Sequence, residues 1–122
     1  MAIKKKTLRQ ERVNELIRTH VASLLAKEVS FKQGVLVTVA KVEVTPDLRQ
    51  AFVGVSVFPV EEEGYVMETL HKELYRLQGA LNQLLHMQPL PKLRFSVDLT
   101  EANAQVVEDL LLQINREAVD LK

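Results

Sequence analysis

Val42-Glu43-Val44-Thr45-Pro46-Asp47-Leu48, followed at once by Ala51-Phe52-Val53-Gly54-Val55-Ser56-Val57, reads as two strands and the turn between them. From Val35 to Val44 nearly every second residue is β-branched, and Val53, Val55 and Val57 repeat the pattern. Pro46 fixes its own φ, and Thr45 and Asp47 can accept bonds from nearby backbone N–H groups, so the junction is short and stiff and the strands are antiparallel. Asp47 has no carboxylate or histidine near it in sequence, which makes it a turn residue and not a catalytic acid.

Working outward, Val13, Leu16, Ile17, His20, Val21, Leu24 and Leu25 recur at spacings of three and four, the pattern of a helix ending near Glu28. Arg9, Arg12, Arg18 and Lys27 fall on its other faces. His20 lies in line with the apolar stripe, with no second histidine at metal-ligand spacing, and reads as a packed or boundary residue. Ser30 to Gly34 is a loop.

Beyond the hairpin, Pro59 ends the second strand, and Glu61, Glu62 and Glu63 mark a helix start, where carboxylates meet the positive end of the macrodipole. Val66, Leu70, Leu74, Leu77, Leu81, Leu84 and Leu85 continue as a second stripe. Gly79 and Asn82 fit poorly inside a helix. Asn82 is the expected break, because Asn tolerates a left-handed backbone; Gly79 is the competing position and an unbroken helix the alternative. Pro89 and Pro91 stop this segment. Leu93, Phe95 and Val97 then alternate with Lys92, Arg94 and Ser96 as a third strand, whose Lys92 and Arg94 share one face. Val107, Leu110, Leu111, Ile114, Ala118 and Leu121 describe a last amphipathic helix. The order α-β-β-α-(break)-α-β-α predicts an α+β layer structure, a three-stranded sheet with helices on one side.

Composition narrows the function. A chain of 122 residues, 47% hydrophobic and 26% charged, suits one soluble domain. It has no cysteine, so disulfides, thiolate catalysis and sulfur-based zinc sites are excluded. No window approaches the roughly 18 apolar residues of a membrane span, and no apolar segment of a signal peptide follows Lys4, Lys5 and Lys6. The net charge of zero hides an asymmetry: residues 1–60 carry ten Lys and Arg against five Asp and Glu, residues 61–122 six against eleven. Such polarity lets one face approach a polyanion, although charged termini also serve solubility. No nucleophile with a base, and no pair of opposed carboxylates, appears, so the expectation is no enzyme, no metal, no cofactor and no small-molecule substrate.

The chain resembles the ribosome-binding factor A family, assembly factors for the small ribosomal subunit. The likeness runs from Arg12-Val13 and Leu24-Leu25-Ala26-Lys27-Glu28-Val29 through Val37 to Leu48, Ala51 to Val57 and Pro91 to Asp98. Its strongest piece is the hydrophobic-Glu-hydrophobic-Ser/Thr-x-Asp-Leu signature at Val42 to Leu48. The resemblance implies a type II KH-like fold as a single domain over residues 1–122. It implies a cytoplasmic, non-catalytic role on the 30S subunit or its precursor during late 16S rRNA maturation, tied to growth in the cold. In this family an Ala-x-Gly kink between two helices replaces the Gly-x-x-Gly loop of KH domains, and the matching residues are Ala80, Leu81 and Asn82. Asn in place of Gly departs from the pattern, and the stretch Leu84 to Leu90 leaves room for only a short third helix.

The expected contacts are to phosphates, from Lys4, Lys5, Lys6, Arg9 and Arg12, with Arg18, Asn82, Lys92 and Arg94 as further candidates. Residues 1–8 alternatively form a flexible basic tail. No strand shows an interleaved aromatic pair that would stack single-stranded bases, so shape recognition of folded rRNA is expected. The alternating patterns leave no spare apolar face and favour a monomer. The rival reading is a protein-interaction module without direct RNA contact.

Overall fold

The structure, a computed structural model, describes residues 6–98. The first helix, α1, spans Leu8–Glu28. Thr7 starts it with a capping box: Thr7 Oγ1 accepts from the Gln10 N–H at 3.1 Å, and Gln10 Oε1 accepts from the Thr7 N–H at 2.9 Å. Its buried stripe is Gln10, Val13, Ile17, Val21, Leu24 and Leu25. Leu16 is not part of it. At 100° per residue it lies roughly 110° from the stripe's centre, and it is 43% exposed. His20 is half-buried at the boundary, as expected.

Strands β1 (Leu36–Val44) and β2 (Gln50–Phe58) pair antiparallel, with Thr45 N donating to Gln50 O across the loop at 3.0 Å. A bulge between Val39 and Lys41 places Ala40 as an extra residue. That slip puts Val37, Val39, Val42 and Val44 on one face and turns Lys41 outward; without it Lys41 would enter the core. In the turn, Asp47 Oδ1 accepts from Thr45 Oγ1 and from the Arg49 N–H, and Leu48 N donates to Thr45 O at 2.8 Å. Leu48, at φ 59°, is the one non-glycine residue in the left-handed region among the described residues, and it is held there by a side chain buried in the core.

A short 3-10 turn (Val60–Glu62) leads into α2 (Glu63–Leu84). The expected break at Ala80-Leu81-Asn82 is absent: α2 passes through all three residues, and Leu85 N donates to Leu81 O across Asn82 at 3.1 Å. Two local forces keep Asn82 helical. Leu77, Leu81 and Leu85 carry the buried stripe past it, and its Oδ1 accepts from Gln78 Nε2 at 3.0 Å, one turn back. No third helix follows: residues 85–91 are irregular, so a kinked helix pair is replaced by one continuous run and an extended connection. Leu84 is exposed, off the stripe.

Strand β3 (Lys92–Val97) returns parallel to β2, giving the sheet order β1-β2-β3. α1 packs over β1 and α2 over β3, both on the face that presents Ala51, Val53, Val55 and Val57. This is the α+β arrangement expected from sequence. The expected last helix, Thr100 onward, lies outside the described residues.

Both sheet edges are held by side-chain amides. At the β1 edge, Asn14 Oδ1 accepts from Val44 N at 2.8 Å and Gln10 Nε2 donates to Val44 O at 3.3 Å. At the β3 edge, Gln78 Oε1 accepts from Leu93 N at 2.8 Å and its Nε2 donates to Pro91 O at 3.0 Å. Gln78→Ala leaves both edge groups unpaired and is expected to cost about 1–3 kcal/mol in denaturant unfolding. Asn82→Gly, which would relieve a kink, should instead lower stability by about 1 kcal/mol through the lost bond and the helix penalty; a gain in stability would contradict the unbroken helix.

The turn also predicts a pH effect. The Thr45 hydroxyl, and then the Arg49 N–H, hold the Asp47 carboxyl below its ordinary 3.8. A depressed carboxyl stabilises the fold above its unfolded value, and that contribution is lost as pH falls through the folded one. Thermal melts from pH 5 to pH 2 should therefore fall more steeply for the native chain than for Asp47→Asn.

Candidate nucleic-acid interface

The sequence offers nine candidate contacts, and the structure does not gather them into one site. Lys4 and Lys5 lie outside the described residues. Lys6 bonds Glu43 Oε1 at 3.1 Å, and Lys41 reaches the same oxygen at 3.0 Å. Donation from Lys41, and then from Lys6, holds the Glu43 carboxyl below the usual range, and Glu43 in turn raises the Lys41 ammonium. Lys6 is thus engaged by the sheet and not presented as a free charge.

Arg9 and Arg12, three residues apart, are neighbours on the exposed side of α1. Arg18 is on another side of the helix, where six further residues carry it away by roughly 120°, and it lines a groove of about 520 Å³ between α1 and β1. That groove is apolar along Ala22, Leu25, Ala26 and Val35 to Val39. None of the three arginines has an ion-pair partner among the described residues.

Lys92 and Arg94 do share a face, opposite Gln50 and Phe52 of β2 in the register. Arg94 Nε donates to Gln50 Oε1 at 2.8 Å, which fixes its guanidinium over the side of the sheet away from the helices. Asn82 is half-buried, its Oδ1 on Gln78 Nε2, so it supports the β3 edge and presents no free amide oxygen to a ligand.

The same Gln78 shapes a groove of about 500 Å³ between α2 and the β3 edge, lined by His71, Leu74, Tyr75, Gln78 and the strand from Lys92 to Arg94. Tyr75 stands on its rim at 94% exposure. An exposed aromatic ring beside a bound strand edge can stack a base, and Lys92 at the rim can meet the phosphate next to it. Reasoning from sequence misses Tyr75, although a signal exists: it is an aromatic residue off the Val66, Leu70, Leu77, Leu81 stripe. It also misses Gln10 and Asn14, amides one turn apart beside a stripe of valine and isoleucine.

Comparison with known proteins matches this architecture. A family model described as Ribosome-binding factor A matches residues 9–111. A ribosome-binding factor A from Thermomicrobium roseum is 33% identical over 110 residues, covering 89% of this chain and 85% of that protein. One from Rhodopirellula baltica is 36% identical over 104 residues, covering 84% and 76%. The crystal structure of ribosome-binding factor A from Thermus thermophilus superposes with a TM-score of 0.63 at 24% identity, over 72% of this chain and 94% of that one. A homology model of the Thermus thermophilus factor, fitted into a cryo-EM map of its complex with the 30S subunit, gives 0.57 at 25% identity, over 68% and 88%. These structures have a KH-like fold, and so does this one. With the family model spanning most of its length, the chain belongs to the ribosome-binding factor A family.

Proposed function

We propose that this protein is a non-catalytic assembly factor that binds the small (30S) ribosomal subunit or its precursor and assists late maturation of 16S rRNA. The carrying observation is the family match across residues 9–111, together with the Thermus thermophilus relative placed in a 30S complex. The surface supports it. Arg9 and Arg12 on α1, and Lys92 beside the Tyr75 groove, carry charge that no described carboxylate neutralises, so a phosphate meets them without first displacing an ion pair. Their role is affinity and register. Recognition of base sequence is a lesser part, because side chains that reach only phosphates carry no base information.

Sucrose-gradient co-sedimentation with isolated 30S subunits across a salt series tests this reading. Binding should fade steeply as salt rises; binding that ignores salt would point to a protein surface on the particle, and none at low salt would overturn the proposal. Replacing Arg9 and Arg12 together with alanine should weaken binding and flatten the salt slope by about one unit for each phosphate no longer neutralised. The triple change of Lys4, Lys5 and Lys6 to alanine should do the same through Lys4 and Lys5, whereas Lys6→Ala alone should change little, since Lys6 is already held by Glu43.

A further inference from the structure

The face of the sheet turned away from both helices carries a feature that the phosphate contacts above leave unused. Phe52 lies on β2, the middle strand, and its side chain is on the open face, 46% exposed. The register sets Glu43 of β1 on one side of it and Arg94 of β3 on the other. Arg94 is oriented by Gln50 Oε1, while on the other side one carboxylate, Glu43, is shared by Lys6 and Lys41. Among the described residues, four cations (Lys6, Lys41, Lys92, Arg94) stand on this face against two carboxylates (Glu43, Asp98), so the field around the ring is positive.

Beside the ring is a recess of about 110 Å³ lined by Lys41, Glu43, Phe52, Gly54, Ser96 and Asp98. Gly54 forms its floor, and it has to be glycine: a Cβ there would meet Asp98 Cβ at 2.6 Å. The polar groups of Lys41, Glu43, Ser96 and Asp98 thus adjoin the phenyl ring.

We infer that this face binds single-stranded RNA, with one base stacked on Phe52, its edge toward the recess, and Arg94 and Lys41 meeting the flanking phosphates. An aromatic face on a middle strand, with Arg94 beside it on one flanking strand and Lys41, two residues from Glu43, on the other, is the chemistry that holds unpaired bases on a sheet. A protein partner fits less well, because the apolar surface at Phe52 is a single ring among charges and not a broad patch. Phe58, on the same face and equally exposed, lies about 20 Å further along the strand. It stands opposite Leu36, and β3 stops short of it, so no strand residue paired with it is a cation. Phe58 is therefore the internal control. The inference rests on the RNA-binding reading above but adds a site on the far side of the sheet from α1 and α2.

The chain has no tryptophan, so Phe52→Trp places one indole reporter on the face. Titration with decaadenylate at low salt should quench that indole. In the same assay Phe52→Leu, apolar but without a ring, should bind roughly 5- to 150-fold more weakly than the native chain, Phe52→Trp should bind as well as native, and Phe58→Leu should stay within about twofold of it. Thermal melts confirm that each variant is folded. Affinity of Phe52→Leu equal to native, an unquenched indole, no decaadenylate binding by the native chain, or an equal loss at Phe58→Leu would each overturn the stacking site. Co-sedimentation of the same variants with 30S subunits separates the two readings: salt-sensitive particle binding that survives in a variant set showing no stacking sinks only this inference, and loss of both in the native chain sinks both.

Discussion

Three side-chain amides hold the edges of a sheet that has a single interior strand. Each edge strand of a three-stranded sheet presents N–H and C=O groups that need partners or invite another chain. Gln10 and Asn14 satisfy both backbone groups of Val44, and Gln78 satisfies Leu93 N and Pro91 O. Because these amides come from helices, the bonds also fix where the helices lie: α1 along the β1 edge and α2 along the β3 edge. Both are then on the same side. The other face is left to β2's alternate residues, and the space between α2 and β3 is left as a groove whose depth is set by the reach of one glutamine.

The continuity of α2 follows from the same constraint. A break at Asn82 would rotate the last turn, withdraw Leu85 from the core and take Asn82 Oδ1 away from Gln78 Nε2, so the apolar stripe and the amide bond act together against it. The helix is anchored at other points too. Arg76 donates to the last carbonyl of α1, at Glu28, and pairs with Glu73 and the Glu28 carboxylate, while the Tyr65 hydroxyl accepts from Lys32 N at 2.9 Å and the Tyr65 ring packs edge-on against Phe31. With α2 unbroken, Tyr75 stands fully exposed beside the β3 edge.

What is legible in the sequence and what is hidden divide along physical lines. The hairpin, the body of each helix and β3 are legible because burial of one face imposes a period, two for strands and 3.6 for helices. The bulge at Ala40 is legible in principle, since the valines shift phase between Val39 and Val42, and it explains why Lys41 is outside. Leu48 is not legible: propensity points to Asn or Gly for a left-handed residue, and it is core burial that holds a leucine there. The expected break at Asn82 fails for the opposite reason, a weak local preference outvoted by packing. Among the candidate contacts, sequence supplies residue type but not position, because whether Lys6 or Arg18 can meet a ligand depends on the carboxylates and helix faces that the fold brings beside them. Phe52 and Phe58 are six positions apart on one strand, an even offset that already places both rings on one face.

Ion pairing divides the cations of this neutral chain into those already engaged and those open to an anion. Lys6 and Lys41 share Glu43, Lys32 pairs with Glu62, Arg49 with Asp47, Lys72 with Glu68, and Arg76 with two glutamates. All are surface pairs worth little to stability, about 0–1 kcal/mol each, yet each must be opened or shared before its cation serves a phosphate. Among the described residues Arg9, Arg12 and Lys92 face no such competition, and the bond described for Arg94 is to a neutral amide. Six cations without a carboxylate partner among the described residues, Arg9, Arg12, Arg18, Lys27, Lys92 and Arg94, would set a salt slope of about −4 if all met phosphates of a single strand. Exposed rings stand near some of them, Tyr75 in the groove and Phe52 on the sheet, where a stacked base would add affinity that salt does not screen.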